Sequence, residues 1–382
     1  MKVLIVNNFL GNTLGGVENY LQALEKYAIE HHPEIVFKWF GVADKKTKLH
    51  QKLYNAATTR AVIAEIDHFK PDLIHSFSIG STITPHFMEY AKSKSIPIIH
   101  SFRDYYYICP KNYMLDIHGA VLQQHNGILD CVLHHYPKKS FFFDSLLALK
   151  QSYHKKIIKR NIDYFLTPSQ NLTNLIGTEF EIQGETLPNP VLISNSFLDK
   201  KEGEYLLYVG RLDAEKGVIT LLKSFEKIVE KYPNEYLKIA GSGSVQKELE
   251  DYVFSNNIKN VTFLGAKNAE QLKPLYAFAK FIVVPSEFLE SYGNVILESF
   301  AFRKTVIISN LLGIQKEVEE SKSGLVFPYG NIEKLIEAIE TLLTDTKLRQ
   351  ELEVNASKYI ENLSFENHFK ELQIIYTKLL KK

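Results

Sequence analysis

Phe281-Ile282-Val283-Val284-Pro285-Ser286-Glu287-Phe288-Leu289-Glu290-Ser291-Tyr292-Gly293-Asn294-Val295-Ile296-Leu297-Glu298 is the stretch on which the fold is decided. Its first four residues make a short apolar run that Pro285 ends, which is the length and composition of a buried strand. A helix is expected to start near Gly293, so the segment reads as strand, loop, helix. Glu298 falls about one and a half turns into that helix and points toward the same strand-end crevice as Glu290 in the loop. Two carboxylates on such a crevice can accept hydrogen bonds from sugar hydroxyls. The bland alternative is a helix-surface acid and a loop acid near a helix N-terminus.

The same rhythm extends in both directions. Strands are expected at Lys2 to Val6, Ile35 to Phe40, Asp72 to His75, Pro97 to His100 and Ile162 to Leu166, and then at Tyr205 to Val209, Tyr236 to Ala240, Val261 to Phe263, Val306 to Ile308 and Gly324 to Phe327. Stretches of helical period lie between most of them, such as Gly217 to Tyr232 with Leu221, Leu222, Phe225 and Ile228 on one stripe. Alternation of this kind implies an α/β protein with parallel, doubly wound sheets. Periodicity breaks at Leu187 to Gly203 and three helical stretches follow Phe327, so the expected organisation is a domain at 1–190, a second at 203–363 and a terminal helix at 364–382.

A chain of 382 residues suits two domains of ordinary size. With 45% hydrophobic and 23% charged residues it is globular, not fibrous, disordered or disulfide-built. Forty-five basic against 44 acidic residues give a net charge of +1, so bulk charge favours no polyanionic partner, and nucleic acid is not expected. The two cysteines, Cys109 and Cys131, form no C-x-x-C pair, which speaks against structural zinc and fits a reducing cytoplasm. Neither a signal-peptide core nor a run long enough to span a bilayer is legible.

Two further turns carry chemistry. Gly210-Arg211-Leu212-Asp213-Ala214-Glu215-Lys216-Gly217 follows the strand at Tyr205, and its two cations suit a diphosphate; the alternative is a solvated loop paired internally by Asp213 and Glu215. The first βα turn ends in Gly15 and Gly16, where absent Cβ atoms let backbone N–H groups approach a phosphate; the spacing is not G-x-G-x-x-G, and the alternative is a plain Gly-rich turn. No Asp-x-Asp occurs, and His31-His32 and His134-His135 lack ligand spacing, so no metal cofactor is expected.

The ESYGNVILE segment at 290–298, the GRLDAEKG turn, the GGVENY turn at 15–20 and the strand GLVFP at 324–328, in that chain arrangement, resemble the retaining, nucleotide-sugar-dependent glycosyltransferases of group 1 (family 4 type) with the GT-B fold. That resemblance implies two Rossmann-like doubly wound domains facing across a cleft, with a C-terminal helix crossing back to the first. It implies that Arg211 and Lys216 hold the donor diphosphate with Gly15 and Gly16 closing on it, that Glu298 takes the ribose hydroxyls, and that Glu290 takes the donor sugar and steadies charge at its anomeric carbon. Gly293 and Asn294 would offer N–H groups, and the segment at Gly265 would receive the base. Asp104, in His100-Ser101-Phe102-Arg103-Asp104-Tyr105, matches the family's acceptor-loop acid, with Arg103 where His is frequent; an acid paired with Arg103 is the other reading. His75 and His100 could line the same cleft or be structural.

The implied reaction is hexosyl transfer from a UDP-sugar, with GDP-mannose as alternative, to a glycan or lipid-linked acceptor in cell-surface polysaccharide assembly. Two other readings share the plan: a sugar-nucleotide epimerase, and a non-catalytic accessory subunit. The latter is motivated by Arg303 and Thr305, which replace the family's usual Gly and Pro and predict a looser turn. Finally, residues 138–160 carry seven cations against Asp144 alone, beside Phe141-Phe142-Phe143, with Leu146, Leu149, Tyr153 and Ile157 on one stripe. This suits peripheral contact with an anionic inner membrane face, or a helix packed on the sheet with a solvated basic side.

Overall fold

In a computed structural model, the described residues are 1–9, 16–42, 48, 50–109, 111–112, 114–116, 121–122, 132–133, 140–191 and 203–381. The chain divides into two compact units, Met1–Asn189 with Phe365–Lys382, and Pro190–Ser364.

Unit 1 runs β1 (Lys2–Phe9), α1 (Gly16–His31), β2 (Val36–Val42), α2 (Ala56–Phe69), β3 (Leu73–Ser76), α3 (Phe87–Ser93), β4 (Ile98–Ser101), α4 (Phe141–Asn161), β5 (Tyr164–Thr167), α5 (Gln170–Phe180) and β6 (Gly184–Thr186). Unit 2 runs β7 (Tyr205–Val209), a 3-10 turn at Ala214–Lys216, α6 (Val218–Lys231), β8 (Leu237–Ala240), α7 (Gln246–Ser255), β9 (Val261–Gly265), α8 (Ala269–Ala277), β10 (Ala279–Val284), α9 (Asn294–Ala301), β11 (Val306–Ser309), α10 (Gln315–Glu320), β12 (Gly324–Phe327), α11 (Ile332–Thr344) and α12 (Thr346–Glu361). The last helix, α13 (Phe365–Leu380), belongs to unit 1.

Each unit is built on a parallel six-stranded sheet, ordered β2-β1-β3-β4-β5-β6 and β12-β11-β10-β7-β8-β9. Parallel strands are covered on both faces, and the sequence shows it as continuous apolar runs in which successive residues serve different cores. In β7, Leu206 and Tyr208 join one cluster with α6 and α11, while Tyr205, Leu207 and Val209 join the other with α9 and the end of α12. β10 repeats this, Phe281 and Val283 against Ile282 and Val284. In unit 1, Val3, Ile5, Leu73, Ile99 and Leu166 meet Tyr20, Leu21 and Leu24 of α1 and Phe369, Leu372, Ile375, Tyr376 and Leu379 of α13.

The sheet orders fix where ligands are to be sought. In unit 2 the strand order reverses between β7 and β10, and in unit 1 between β1 and β3; open parallel sheets leave a crevice beyond the strand carboxyl ends at such points.

Two sequence expectations need correction. Unit 1 has a sixth strand, β6, whose Gly184-Glu185-Thr186 has no apolar run to announce it. On α4 the buried side chains are Asp144, Ala148, Gln151, His154, Ile157, Ile158 and Asn161, whereas Leu149 and Tyr153 are exposed. Polar residues occupy that face because each finds a partner: Asp144 pairs with Lys111 at 3.1 Å, Gln151 donates to the Tyr106 carbonyl at 3.1 Å, and His154 Nε2 meets the Leu53 carbonyl at 2.8 Å.

Candidate functional site

In unit 2 the turn after β7 and the loop after β10 are joined through backbone. Glu287 N–H donates to the Glu215 carbonyl at 2.8 Å, and the Thr220 hydroxyl donates to the Glu287 carboxylate. A Cβ on Gly217, whose φ is +66°, would stand 2.0 Å from the Pro285 carbonyl oxygen. Only glycine permits this approach. It brings Lys216 onto Glu290, Nζ to Oε1 3.0 Å, with the ammonium also 4.6 Å from the Phe288 ring centre. The Ser286 hydroxyl donates to the same Glu290 oxygen, and Glu290 N–H donates to Leu311 at 3.0 Å, so the carboxylate is positioned from both ends.

Arg211 is 63% exposed and pairs with Asp213, with Glu215 at 3.7 Å from Nη2. The internally paired loop was one of the two sequence readings, and here it coexists with a guanidinium open to solvent. Asp213 accepts from Ser244 N–H at 3.0 Å and Oγ at 2.8 Å; these bonds, with Arg211, hold its pKa below the usual carboxylate range. Gly293 starts α9 at φ +122°, where a Cβ would come within 2.8 Å of Ile296, and Asn294 is the first helical residue. Glu298 accepts from the Tyr276 hydroxyl at 2.6 Å. The residue is exposed by area, yet its carboxyl is crowded by protein, and that desolvation raises its pKa while Tyr276 pulls it down. Gly265 closes β9 at φ +68° with open space where a Cβ would project.

Gly241-Ser242-Gly243-Ser244, directly after β8, is a further turn at this end of the sheet. A Cβ on Gly241 would lie 1.8 Å from the Gly210 carbonyl oxygen, and one on Gly243 2.3 Å from that of Leu212. Gly241 N–H donates to Gly265 at 2.9 Å and Leu212 N–H to Ser242 at 3.0 Å, which laces the turns after β7, β8 and β9 together. Its sequence signal is a G-x-G directly after a strand.

The turn containing Arg303 and Thr305 is closed, contrary to the expected loosening. Arg303 takes the left-handed conformation, φ 55°, with its N–H on Phe300 at 2.9 Å, and Thr305 is buried with its hydroxyl on the Ser323 carbonyl at 2.8 Å. The arginine fills the place glycine usually takes at a helix C-terminus, and the threonine satisfies a carbonyl that proline could not.

In unit 1, Gly15 lies outside the described residues, and Gly16 is the first residue of α1. Asn8, at the end of β1, accepts from Ile83 N–H at 2.9 Å and Thr82 N–H at 3.2 Å, and so clamps the segment after β3. Beside it lies a cavity of about 190 Å³ lined by Asn8, Ser78, His100, Asp104, Tyr106 and Lys150 among others. Asp104 accepts from Tyr106 N–H at 3.0 Å, and burial raises its pKa. Arg103 donates to Asn189 and lies over the Tyr20 ring at 4.6 Å.

His100 lines this cavity; His75 does not. His75 is fully buried between the Tyr376 hydroxyl of α13, 2.7 Å from Nδ1, and the Ser101 hydroxyl, 2.8 Å from Nε2. Burial holds His75 well below its ordinary value, and lowers His100 and His368 to about 3. His368 bridges the Tyr20 hydroxyl at 2.8 Å and the Pro188 carbonyl at 2.9 Å. Of the two strand-end histidines, then, His75 is structural.

Residues 192–359 match the family model described as glycosyl transferases group 1. The capsular polysaccharide biosynthesis glycosyltransferase CapM of Staphylococcus aureus is 29% identical over 69% of this chain and 70% of its own. In fold, sucrose-phosphate synthase of Thermosynechococcus elongatus superposes with a TM-score of 0.72 at 18% identity, over 100% of this chain and 99% of its own. Anabaena HepE in complex with UDP gives 0.70 at 16% identity, over 99% and 100%. Residues 192–359 of unit 2 thus carry the group 1 glycosyl transferase pattern, and the chain along its length has the GT-B fold.

Proposed function

We propose that the protein transfers a hexosyl unit, with retention, from a nucleotide-diphosphate sugar to a hydroxyl of a glycan or lipid-linked acceptor in cell-surface polysaccharide assembly. UDP-sugar is the favoured donor and GDP-mannose the alternative. The observation that carries the reading is Lys216 held on Glu290 at 3.0 Å, beside the exposed Arg211, at the point where the strand order reverses. An ammonium has three donors and Glu290 engages one, which leaves donors for diphosphate oxygens while Glu290 is steered to the sugar. Arg211 and Lys216 then stabilise the charge that grows on the leaving diphosphate, and no divalent ion is required. Glu298 receives the ribose hydroxyls on its second oxygen, Gly293 and Asn294 offer N–H groups, and the open side of Gly265 receives the base. In unit 1, Asp104, with its raised pKa, suits a base or orienter of the acceptor hydroxyl. UDP in the HepE structure and the capsular role in the CapM name, which describe those proteins, support UDP and polysaccharide as the first classes to try.

A thermal-shift series with UDP, GDP and ADP in the absence of metal tests the donor assignment. A ligand at 100 times its Kd adds about 2.7 kcal/mol of stability. One nucleotide is expected to shift the midpoint, and Arg211→Ala and Glu298→Ala to abolish the shift. No response to any nucleotide sinks the assignment.

Membrane contact is the second part of the reading. Phe141, Phe142 and Phe143 are 61%, 79% and 41% exposed at the start of α4. Lys155 and Lys159 pair with Glu179 and Glu181, so the basic face is partly neutralised, and Lys138 and Lys139 lie outside the described residues. Among the described residues no helix is long and apolar enough to cross a membrane. Co-sedimentation with anionic vesicles should fall when Phe141, Phe142 and Phe143 are changed to Ser, and unchanged sedimentation refutes this contact.

A further inference from the structure

Unit 1 holds a cation that the transferase reading leaves without a task. Lys150 projects from α4 into the lining of the cavity beside Asp104 and Tyr106. A lysine drawn into protein is ordinarily accompanied by an acid, because an uncompensated ammonium is costly to desolvate. Among the described residues the Lys150 ammonium has no hydrogen bond and no ion pair, and it lies 5.5 Å from the centre of the Tyr106 ring. Burial, and then the neighbouring cation Lys52, lower its pKa to about 8. The Tyr106 hydroxyl is enclosed without a partner, and burial with Asp104 nearby keeps it protonated. An ammonium without a counter-charge thus lines one small cavity whose wall includes Tyr106. An oxyanion in that cavity would satisfy the ammonium. With about 190 Å³ the cavity is smaller than the roughly 300–1,000 Å³ of pockets for larger ligands, so it suits a single charged substituent.

We propose that Lys150 selects the acceptor by binding an oxyanion, a carboxylate or a phosphate, carried on the acceptor sugar. The assignment rests on the transferase reading only in calling that anion part of an acceptor. Asp104, lining the same cavity, is left for the neighbouring hydroxyl.

The test uses the full chain saturated with UDP, so that phosphate affinity in unit 2 is already filled. Glucuronate, glucose 6-phosphate and neutral glucose are titrated while acetylation of Lys150 is followed by mass spectrometry. At least one anionic probe is expected to slow labelling about tenfold or more, as a charged hydrogen bond implies, and glucose is expected to have little effect. Which of the two anions protects separates a carboxylate from a phosphate. Protection by glucose equal to that by both anions overturns the proposal. In calorimetry, Lys150→Met should bind the protecting anion about tenfold more weakly, and undiminished binding overturns it as well. Should that variant fail to fold, labelling of the unsubstituted chain decides alone. A missing UDP shift defeats the donor reading and leaves the labelling result standing, whereas a UDP shift with no anion protection defeats only the role of Lys150.

Discussion

The two units place polar groups at the ends of their sheets in opposite ways. In unit 2 the charges remain ionic and answer one another: half-buried Lys216 with Glu290, and exposed Arg211 with the more enclosed Asp213 and Glu215. In unit 1 the polar groups are drawn inward, with His75, His100 and His368 held neutral among hydroxyls and carbonyls. A guanidinium open to solvent, such as that of Arg211, can exchange partners for a ligand at modest cost, whereas desolvated neutral groups fix a shape. On the proposed reading, unit 2 takes up the charged donor, while unit 1 keeps a shaped cavity.

Acid should break this symmetry with the largest effect. Each buried histidine is neutral when folded and takes a proton once unfolded, so between the ordinary value of 6.5 and the folded value of about 3 the unfolded chain binds more protons. Stability then rises with pH in that window and is lost on acidification. The slope is about 1.4 kcal/mol per pH unit for each histidine. In unit 2 the depressed carboxyl is Asp213, whose contribution is present above 3.8 and fades only below that pH. Trp39 of β2 is the single tryptophan of the chain and reports on unit 1. Its fluorescence is expected to change at higher pH than the far-ultraviolet dichroism of the whole chain; coincident transitions would remove the distinction between the units.

A smaller effect sharpens the account of unit 2. Gly217→Ala must move the Arg211–Lys216 turn off Pro285, at roughly 2 to 4 kcal/mol, and should weaken the UDP shift with it. Gly265→Ala has the same backbone sign but meets open space, so about 1 kcal/mol is expected. Equal losses in chemical denaturation would mean that backbone strain alone, not the join between turn and loop, matters at Gly217.

Most strands were legible because a parallel strand needs a run of β-branched and apolar residues, and among the described residues only β6, three residues without one, escaped. The unit 2 site was legible in part for a related reason: its residues lie on two short turns, and strand ends in a doubly wound sheet converge. What pairs with what was not. Lys216 and Glu290 are 74 positions apart and His75 and Tyr376 are 301 apart, and no local period records such meetings. On α4 the apolar stripe misled, since burial followed the hydrogen-bond partners available to Gln151 and His154, not hydrophobicity. Lys150 gave no signal because a lysine among six other cations reads as surface.

The helix α13 has a consequence for the order in which the protein is made. It supplies Phe369, Leu372, Ile375, Tyr376 and Leu379 to the core of unit 1, and it is synthesised after every residue of unit 2. Domains commonly fold in the order they leave the ribosome. Here the second unit is contiguous and has its whole core before the first has its last helix. Until then β1, β3 and β4 present Val3, Ile5, Leu73 and Ile99 on a face still awaiting α13. The first-made half is therefore the last to be finished, and its exposed sheet is the surface a chaperone would be required to shield.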